Sequence, residues 1–145
     1  MDIIRSFNIA FKNLEEKGWS RIYVLVDIHD TIFEACYYNN EEYKWFPFAK
    51  ESLDIMSSSN RISLILWSST YLDKLRNYLE FFKKNGIRFD QINKNAEENN
   101  TSLSCFDEKP YFNVGIDDKF GFDGENDWKI IYDFLVEGIR VGKIR

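Results

Sequence analysis

The chain has 145 residues and a formal net charge of −5. This length predicts one domain whose core needs no disulfide or metal staple, and the acidic balance without a long basic run argues against general binding to duplex DNA. No apolar run reaches the roughly 18 residues of a membrane span, no signal-peptide pattern is present, and Cys36 and Cys105 are far apart. We therefore expect a soluble cytoplasmic protein with reduced thiols.

The first third of the chain predicts a helix, a central strand and a hairpin. Apolar residues recur at three- and four-residue steps over residues 2–17, which indicates an amphipathic helix that Gly18 ends. A near-continuous apolar run over 21–28 is typical of the central strand of a parallel sheet. Residues 32–46 show neither the spacing of a helix nor the alternation of a strand, and Asn39-Asn40 suits the turn of a short hairpin.

Strands and helices then alternate to the end of the chain. The later helices are predicted at Pro47–Ser58, Tyr71–Lys84 and from Asn126 or Asp127 to about 137, and the later strands at Ile62–Trp67, Ile87–Ile92 and Tyr111–Ile116. This alternation indicates βαβ units with right-handed crossovers. We predict a three-layer, Rossmann-like α/β/α fold, a single domain over residues 1–145, with a mostly parallel sheet in strand order 3-2-1-4.

Polar side chains cluster where the predicted strands end. The carboxyl ends of parallel strands share one edge of the sheet, so side chains that follow them converge there. The set, with one lysine ahead of the last strand, is Asp27, His29, Asp30, Ser68, Ser69, Lys109, Asp117 and Asp118.

These residue types suit phosphoryl transfer. Carboxylates are hard oxygen ligands for Mg²⁺, which usually completes its coordination with water and phosphate. Ser68 offers a hydroxyl and a backbone N–H to phosphate oxygens, and Lys109 offers a cation. An aspartate can attack phosphorus to form an aspartyl-phosphate, and a metal lowers the charge barrier between the two anions. The pattern indicates a Mg²⁺ site that acts on a phosphorylated substrate.

The order of these motifs resembles that of the haloacid dehalogenase-like (HAD) superfamily of phosphohydrolases. That family's first motif, hhhhDxDx(T/V), reads VLVDIHDT here, and its second, a hydrophobic strand ending in Ser or Thr, reads LILWS. Its third is a lysine ahead of the last core strand, and its fourth is an acidic pair. The segment DWKIIYDFL also resembles the closing helix of small, minimally capped bacterial or phage-type members. In this chain the motifs occupy Val24–Thr31, Leu64–Ser68, Lys109, Asp117-Asp118 and Asp127–Leu135, within a resemblance over about residues 20–137.

The resemblance implies a fold, a cofactor and a nucleophile. Asp27 would be the nucleophile, and Mg²⁺ would be held by Asp27, the backbone carbonyl of His29, Asp117 and Asp118. Thr31 would help shape the first loop.

The resemblance also implies a phosphate-binding set. Ser68, with Ser69 beside it, would bind the transferring phosphoryl group, and Lys109 would orient this group and neutralise its charge. Lys94 and Lys119 are nearby alternatives for that lysine. We prefer Lys109 because it immediately precedes the strand that bears the acidic pair.

One position departs from the family pattern. The family's second aspartate, its general acid/base, is His29 here, and Asp30 stands where glycine is common. Histidine is a competent proton shuttle near neutral pH. Three outcomes stay open: His29 serves as acid/base, Asp30 takes its place, or turnover is slow or absent.

These outcomes define the function hypotheses. The first is a Mg²⁺-dependent phosphomonoesterase that works through an aspartyl-phosphate. The second is a catalytically impaired HAD-like binding or regulatory protein that keeps the metal pocket. A receiver-like phosphoacceptor domain combines similar residues, but receivers place the acidic pair after the first strand, whereas here it follows the last.

The predicted cap bears on the substrate. The segment 32–46 is only long enough for a hairpin flap, so the site is open enough for a bulky substrate such as a nucleic-acid end or a phosphoprotein, as well as for a small molecule. A neighbouring subunit of a homo-oligomer is another source of a lid. The flap aromatics Tyr37, Tyr38 and Trp45 either stack on a base or pack the hairpin, and we favour packing.

Overall fold

The computed structural model describes residues 2–34, 43–95, 100–107 and 109–145. Over these residues the chain forms four helices and four strands, numbered here in chain order. They are α1 (Ile3–Lys17), β1 (Ile22–Val26), α2 (Ala49–Ser58), β2 (Ile62–Leu66), α3 (Leu72–Lys84), β3 (Gln91–Ile92), β4 (Val114–Ile116) and α4 (Asp127–Arg140), with a 3₁₀ turn at Asp118–Phe120.

The strands form one parallel sheet in the order β3-β2-β1-β4, which confirms the predicted α/β fold and strand order. Val26, the last residue of β1, is in register with Leu66 of β2 and with Ile116 of β4. The chain therefore leaves three neighbouring strands at the same level. This register brings the polar residues that follow β1, β2 and β4 to one edge of the sheet.

The hydrophobic core lies between the sheet and the helices that cover it, as the apolar runs predict. All five residues of β2 are buried, the pattern expected of a strand covered on both faces. Helix α1 begins at the cap of Asp2, whose carboxylate accepts the N–H of Arg5 at 3.1 Å, and ends at Gly18 with a φ of 68°. Helix α4 contacts both α1 and α2, so these three helices share one packed layer.

The two edge strands are shorter than predicted because side chains replace backbone carbonyls beside them. The Asp90 carboxylate accepts the N–H of Leu64 at 2.9 Å, and the Asn113 side-chain oxygen accepts the N–H of Tyr23 at 2.8 Å. Each bond satisfies a donor of a central strand without a ladder carbonyl. Regular pairing of β3 and β4 therefore starts beyond these residues.

Two helices differ from prediction in extent or in the face that they bury. Helix α4 continues to Arg140, past the predicted end near Gly138, where an added Cβ would lie 2.6 Å from Cδ1 of Ile144. Glycine there lets the C-terminal segment pack closely on the helix. In α3, the three- and four-residue spacing of Leu72, Leu75, Leu79 and Phe82 predicts that these residues form the core stripe. Leu75 and Phe82 are buried, whereas Leu72 is 62% exposed, so the prediction is wrong for Leu72.

Residues 32–34 and 43–46 are the described parts of the predicted flap. The N–H of Glu34 donates to the carbonyl of Lys44, and the N–H of Phe46 donates to the carbonyl of Ile32, both at 3.0 Å. These two arms pair in antiparallel fashion. The predicted turn at Asn39-Asn40, with Tyr37 and Tyr38, lies outside the described residues.

The flap arms pack on α3 through aromatic rings. Phe33 and Trp45 lie 4.7 Å apart between ring centroids, and Tyr43 stacks on Phe81 at 4.2 Å. Tyr78 joins the same group by stacking on Phe33 at 5.8 Å. In these described arms the aromatic side chains pack against the domain.

Among the described residues, every helix is too short or too polar to cross a membrane.

Candidate functional site

Three carboxylates meet at the edge of the sheet. Asp27 directly follows β1, and Asp117 and Asp118 directly follow β4. One carboxylate oxygen of each residue lies within 4.8 Å of the other two. All three residues are partly buried, so the parallel pairing of β1 with β4 brings together acids that are about 90 positions apart in the sequence.

Burial and this closeness together disfavour the charged forms of Asp27 and Asp117. Burial, followed by the negative charge of Asp117, raises the pKa of Asp27 to about 6, although the N–H of Ile28 and the hydroxyl of Thr31 oppose the shift. Burial and the neighbouring Asp118 likewise raise the pKa of Asp117, while the N–H of Lys119 opposes this. The site concentrates negative charge that a cation would neutralise.

The donor set fits Mg²⁺. Three hard carboxylate oxygens within 4.8 Å match the roughly 4.2 Å that separates opposite ligands around an ion with Mg–O distances near 2.1 Å. The partial exposure of the three acids leaves room for water and phosphate as further ligands. The part assigned to the backbone carbonyl of His29 stays a prediction.

Thr31 holds the two acidic strand ends together. Its hydroxyl donates to Oδ2 of Asp27 at 3.2 Å and accepts the N–H of Asp118 at 3.1 Å. Its carbonyl accepts the indole N–H of Trp128 at 2.6 Å, and the residue is fully buried. A threonine at this position therefore shapes the first loop by fixed hydrogen bonds rather than by bulk.

The turn after β1 explains why Asp30 is tolerated where the resembling family often has glycine. Asp30 has a φ of 56°, in the left-handed region that asparagine and aspartate enter more readily than most other residues. The carbonyl of Ile28 accepts the N–H groups of Thr31 and Ile32 at 3.3 and 2.8 Å. These bonds close a tight turn that positions Asp27 and Thr31.

Ser68 is buried and already engaged by neighbours. Its backbone N–H donates to Oδ1 of Asn93 at 2.8 Å, so the N–H that we expected to meet phosphate has a protein partner. Its hydroxyl oxygen accepts the N–H of Thr70 at 3.2 Å and lies 2.8 Å from the hydroxyl of Thr70. Ser69 is exposed. The phosphate-binding roles of Ser68 and Ser69 stay predictions.

His29 follows Asp27 by two positions but is not one of the three residues of the carboxylate group. Its Nε2 is 2.9 Å from the hydroxyl of Tyr78, and its Nδ1 is 3.5 Å from the hydroxyl of Thr70. Burial lowers the pKa of His29, and the charge of Lys74 lowers it further, against the opposing charge of Asp30. The imidazole is therefore neutral at physiological pH.

The predicted lysine has a rival at the acidic pair. Lys109 is exposed, and its role stays a prediction. The lysine whose charge lowers the pKa of Asp117 is Lys119, two residues further along the chain. Lys94, the other alternative, directly follows Asn93, whose side chain supports Ser68.

Three residues of the site were missed in the sequence. Thr70 and Tyr78 face the ring of His29, and Asn93 holds the loop that carries Ser68. Asn93 has a φ of 50°, and a lone asparagine directly after a predicted strand is a weak sign of such a turn. Nothing in the sequence pattern distinguished Tyr78 from the other aromatic residues of α3.

Comparison with known proteins gives one informative match. No protein-family model matches the chain, and no curated protein matches it. The solved structure of a conserved protein from Bacteroides thetaiotaomicron is similar to this chain, with a TM-score of 0.62 and 30% sequence identity. The similarity covers 81% of this chain and 91% of that chain. The chain thus belongs to the same family as this conserved Bacteroides thetaiotaomicron protein.

Proposed function

We propose that the protein is a Mg²⁺-dependent phosphatase of the HAD type that hydrolyses phosphomonoesters through an aspartyl-phosphate on Asp27. The observation that carries the proposal is the group of three carboxylates from β1 and β4 within 4.8 Å of one another. The hydroxyl of Ser68 at the end of the neighbouring strand supports it. The resemblance of the four motifs to those of HAD phosphohydrolases adds the reaction type.

In the first step, a carboxylate oxygen of Asp27 attacks phosphorus. The P–O bond to the leaving alcohol breaks, and its electron pair stays on the alcohol oxygen, which takes up a proton from solvent water. With its pKa of about 6, Asp27 is mostly ionised at pH 7.5 and so carries the lone pair that this step needs. The hydroxyl of Thr31, at 3.2 Å from Oδ2, orients the carboxylate.

In the second step, water attacks the phosphorus of the aspartyl-phosphate. The bond between phosphorus and the Asp27 oxygen breaks, the carboxylate is regenerated, and the water loses a proton. Asp27, Asp117 and Asp118 would hold Mg²⁺, which when bound supplies neutralisation of the charge on the transferring group. We assign the proton transfer to His29, following the motif alignment.

The short flap suits an open site. Its described arms pack on α3, so we propose substrates whose phosphate is presented at a surface, either small phosphomonoesters or macromolecular ends. The exposed free thiol of Cys105 suits a reducing compartment, and we place the proposed enzyme in the cytoplasm.

A second candidate function is a phosphate- and Mg²⁺-binding protein with impaired turnover. The contacts of His29 favour it, because both ring nitrogens face hydroxyl groups of Tyr78 and Thr70. The ring must leave one of these partners before it exchanges a proton with a reacting phosphate. Turnover that is slow or absent despite tight phosphate binding would point to this function.

The test is hydrolysis of p-nitrophenyl phosphate between about pH 5 and 8, with and without Mg²⁺. We expect the wild-type protein to turn over only with Mg²⁺ and the Asp27→Asn variant to lose turnover while staying folded. Asp54→Asn is the matched control, because it makes the same chemical change at an exposed position of α2.

The outcomes separate the two candidates. Turnover that Asp27→Asn retains would exclude Asp27 as the nucleophile. No turnover in the wild-type protein, together with phosphate binding measured by calorimetry in the presence of Mg²⁺, would replace the phosphatase by the binding protein. Neither turnover nor phosphate binding would exclude both.

A further inference from the structure

A chain of polar side chains leads from α3 to the proposed phosphoryl site. The Tyr78 hydroxyl lies 2.9 Å from Nε2 of His29, Nδ1 of His29 lies 3.5 Å from the Thr70 hydroxyl, and that hydroxyl lies 2.8 Å from Oγ of Ser68. We name these four residues, in this order, the hydroxyl–imidazole chain. The neutral imidazole at its centre has one donor nitrogen and one acceptor nitrogen, so the chain has a direction.

One direction leaves Ser68 free to donate. If Tyr78 donates to Nε2, then Nδ1 carries the hydrogen and donates to the Thr70 oxygen, and the Thr70 hydroxyl can donate to Oγ of Ser68. That oxygen also accepts the backbone N–H of Thr70. Thr70 then fills both acceptor positions of the Ser68 oxygen, and the O–H of Ser68 is left for an anion.

The opposite direction removes that donor. If Nε2 carries the hydrogen, it donates to the Tyr78 oxygen, and Nδ1 accepts from Thr70. The Thr70 oxygen then accepts the O–H of Ser68, so that O–H is not available to a phosphoryl group. The tautomer of His29 therefore decides whether Ser68 is a donor to phosphate.

The surroundings of Tyr78 favour the first direction. A phenolic O–H is a stronger donor than acceptor, and the link to Nε2 is the shorter of the two links to the ring. The ring of Tyr78 is held by Phe33 at 5.8 Å and by Tyr43 at 5.2 Å, so the hydroxyl is aimed at the imidazole. Burial also raises the pKa of Tyr78, so the hydroxyl keeps its proton.

We propose that Tyr78 is a positioning residue that holds His29 in the Nδ1–H tautomer and thereby makes the Ser68 hydroxyl a donor to the phosphoryl group. The inference rests on the proposed function only in giving Ser68 a phosphoryl group to bind. It assigns His29 a role that needs no proton exchange with the substrate. It also links the flap to the site, because Tyr78 packs on Phe33 of the flap arm.

The tautomer can be measured directly, because His29 is the only histidine in the chain. Long-range ¹H–¹⁵N correlation spectra at pH 8, where the imidazole is neutral, distinguish a protonated Nδ1 from a protonated Nε2. We expect the Nδ1–H form in the wild-type protein. We expect Tyr78→Phe, which keeps the ring packing, to shift the population toward the Nε2–H form.

Phosphate affinity supplies the second readout. We expect Tyr78→Phe to weaken the binding of inorganic phosphate, in the presence of Mg²⁺, by up to about tenfold, since a hydrogen bond to a charged group is lost or weakened. Tyr43→Phe is the matched control. It also removes a phenolic hydroxyl from a ring that packs on Tyr78, and both readouts should keep their wild-type values.

A second pair of variants tests Thr70, in the middle of the hydroxyl–imidazole chain. Thr70→Val removes the hydroxyl between His29 and Ser68 with little change in shape, and it should weaken phosphate binding as Tyr78→Phe does. Thr70→Ser retains a hydroxyl and should restore the wild-type affinity.

The results that overturn the inference are distinct from those that overturn the proposed function. An Nε2–H tautomer in the wild-type protein, or a Tyr78→Phe variant with unchanged tautomer and phosphate affinity, overturns the role of Tyr78. A wild-type protein that binds no phosphate overturns the proposed function. The spectra still decide the direction of the hydrogen bonds in the hydroxyl–imidazole chain.

Discussion

Thr31 and Asp118 are joined by a hydrogen bond across 87 positions of the sequence: the backbone N–H of Asp118 donates to Oγ1 of Thr31 at 3.1 Å. The same hydroxyl donates to Asp27 at 3.2 Å. One buried side chain therefore sets the distance between the proposed nucleophile, which follows β1, and the acidic pair, which follows β4. The geometry of the carboxylate group depends on this bond as much as on the pairing of the strands.

Removal of the Thr31 hydroxyl should loosen the site. Thr31→Val keeps the shape but leaves the Asp118 N–H without its acceptor, so we expect a loss of about 1–3 kcal/mol in the free energy of unfolding, measured with urea. Thr31→Ser retains the hydroxyl and should lose less. Equal stability of the valine and serine variants would show that the hydrogen bonds contribute little.

The raised pKa of Asp27 predicts a pH-dependent stability. The native state holds the proton of Asp27 up to about pH 6, whereas the unfolded chain releases it near the ordinary aspartate pKa of 3.8. The native state therefore binds more protons between these values, and the free energy of unfolding falls as pH rises through this window. Below pH 3.8 the Asp27 carboxyl is protonated in both states and costs no stability. Above about pH 6 it is ionised in both states, and this penalty to the free energy of unfolding is complete.

Asp27→Asn should remove this penalty, because asparagine stays neutral. In metal-free protein at pH 7.5 we expect the variant to be more stable than wild type by about 1–2 kcal/mol, less than the full shift would give because solvent screens the partly exposed carboxylate, and at pH 3.5 we expect the two to be nearly equal. Urea unfolding with a chelator present measures both. A stability gain of the same size at both pH values would contradict the assignment to Asp27.

Mg²⁺ should stabilise the folded protein by binding the carboxylate group. At a concentration about 100 times Kd, the gain is about 2.7 kcal/mol, which corresponds to a rise of roughly 6–10 °C in Tm for a chain of this size. The rise should shrink at pH 5, where Asp27 is mostly protonated. Asp118→Asn should reduce it, and Asp54→Asn, on α2, should not.

The control for that experiment is the same titration with Na⁺ at matched ionic strength. A rise in Tm with Na⁺ as large as with Mg²⁺ would show screening of surface charge rather than a bound ion. No shift at millimolar Mg²⁺ would contradict a preformed metal site.

His29→Asp restores the residue that the resembling family carries at this position. We expect turnover of p-nitrophenyl phosphate at or above the wild-type rate, because the aspartate supplies the acid/base group directly. His29→Asn, of similar size but without such a group, should fall below His29→Asp by on the order of 10²-fold. A folded His29→Asp protein without turnover would count against the alignment of this position with the family's acid/base.

The sequence by itself determined the fold and the acidic part of the site. Apolar runs that end in Asp27 and Asp117 identified two strands of a parallel sheet. Because the carboxyl ends of parallel strands share one edge of the sheet, these two acids were expected to lie close together. The stripe of α1 and the carboxylate group followed from such periodic and local signals, whereas right-handed crossovers only narrowed the choice of strand order. Element ends were less accurate, because side chains such as Asp90 and Asn113 replace backbone partners at the sheet edges.

Only the tertiary structure decided how the polar groups are connected. Tyr78 reaches His29 from α3, and Asn93 takes the N–H of Ser68 from the loop after β3. These contacts join residues 49 and 25 positions apart, and they depend on side-chain orientation, which no periodicity encodes. Burial and mutual repulsion likewise set the pKa of Asp27, because both exist only when the strands are paired.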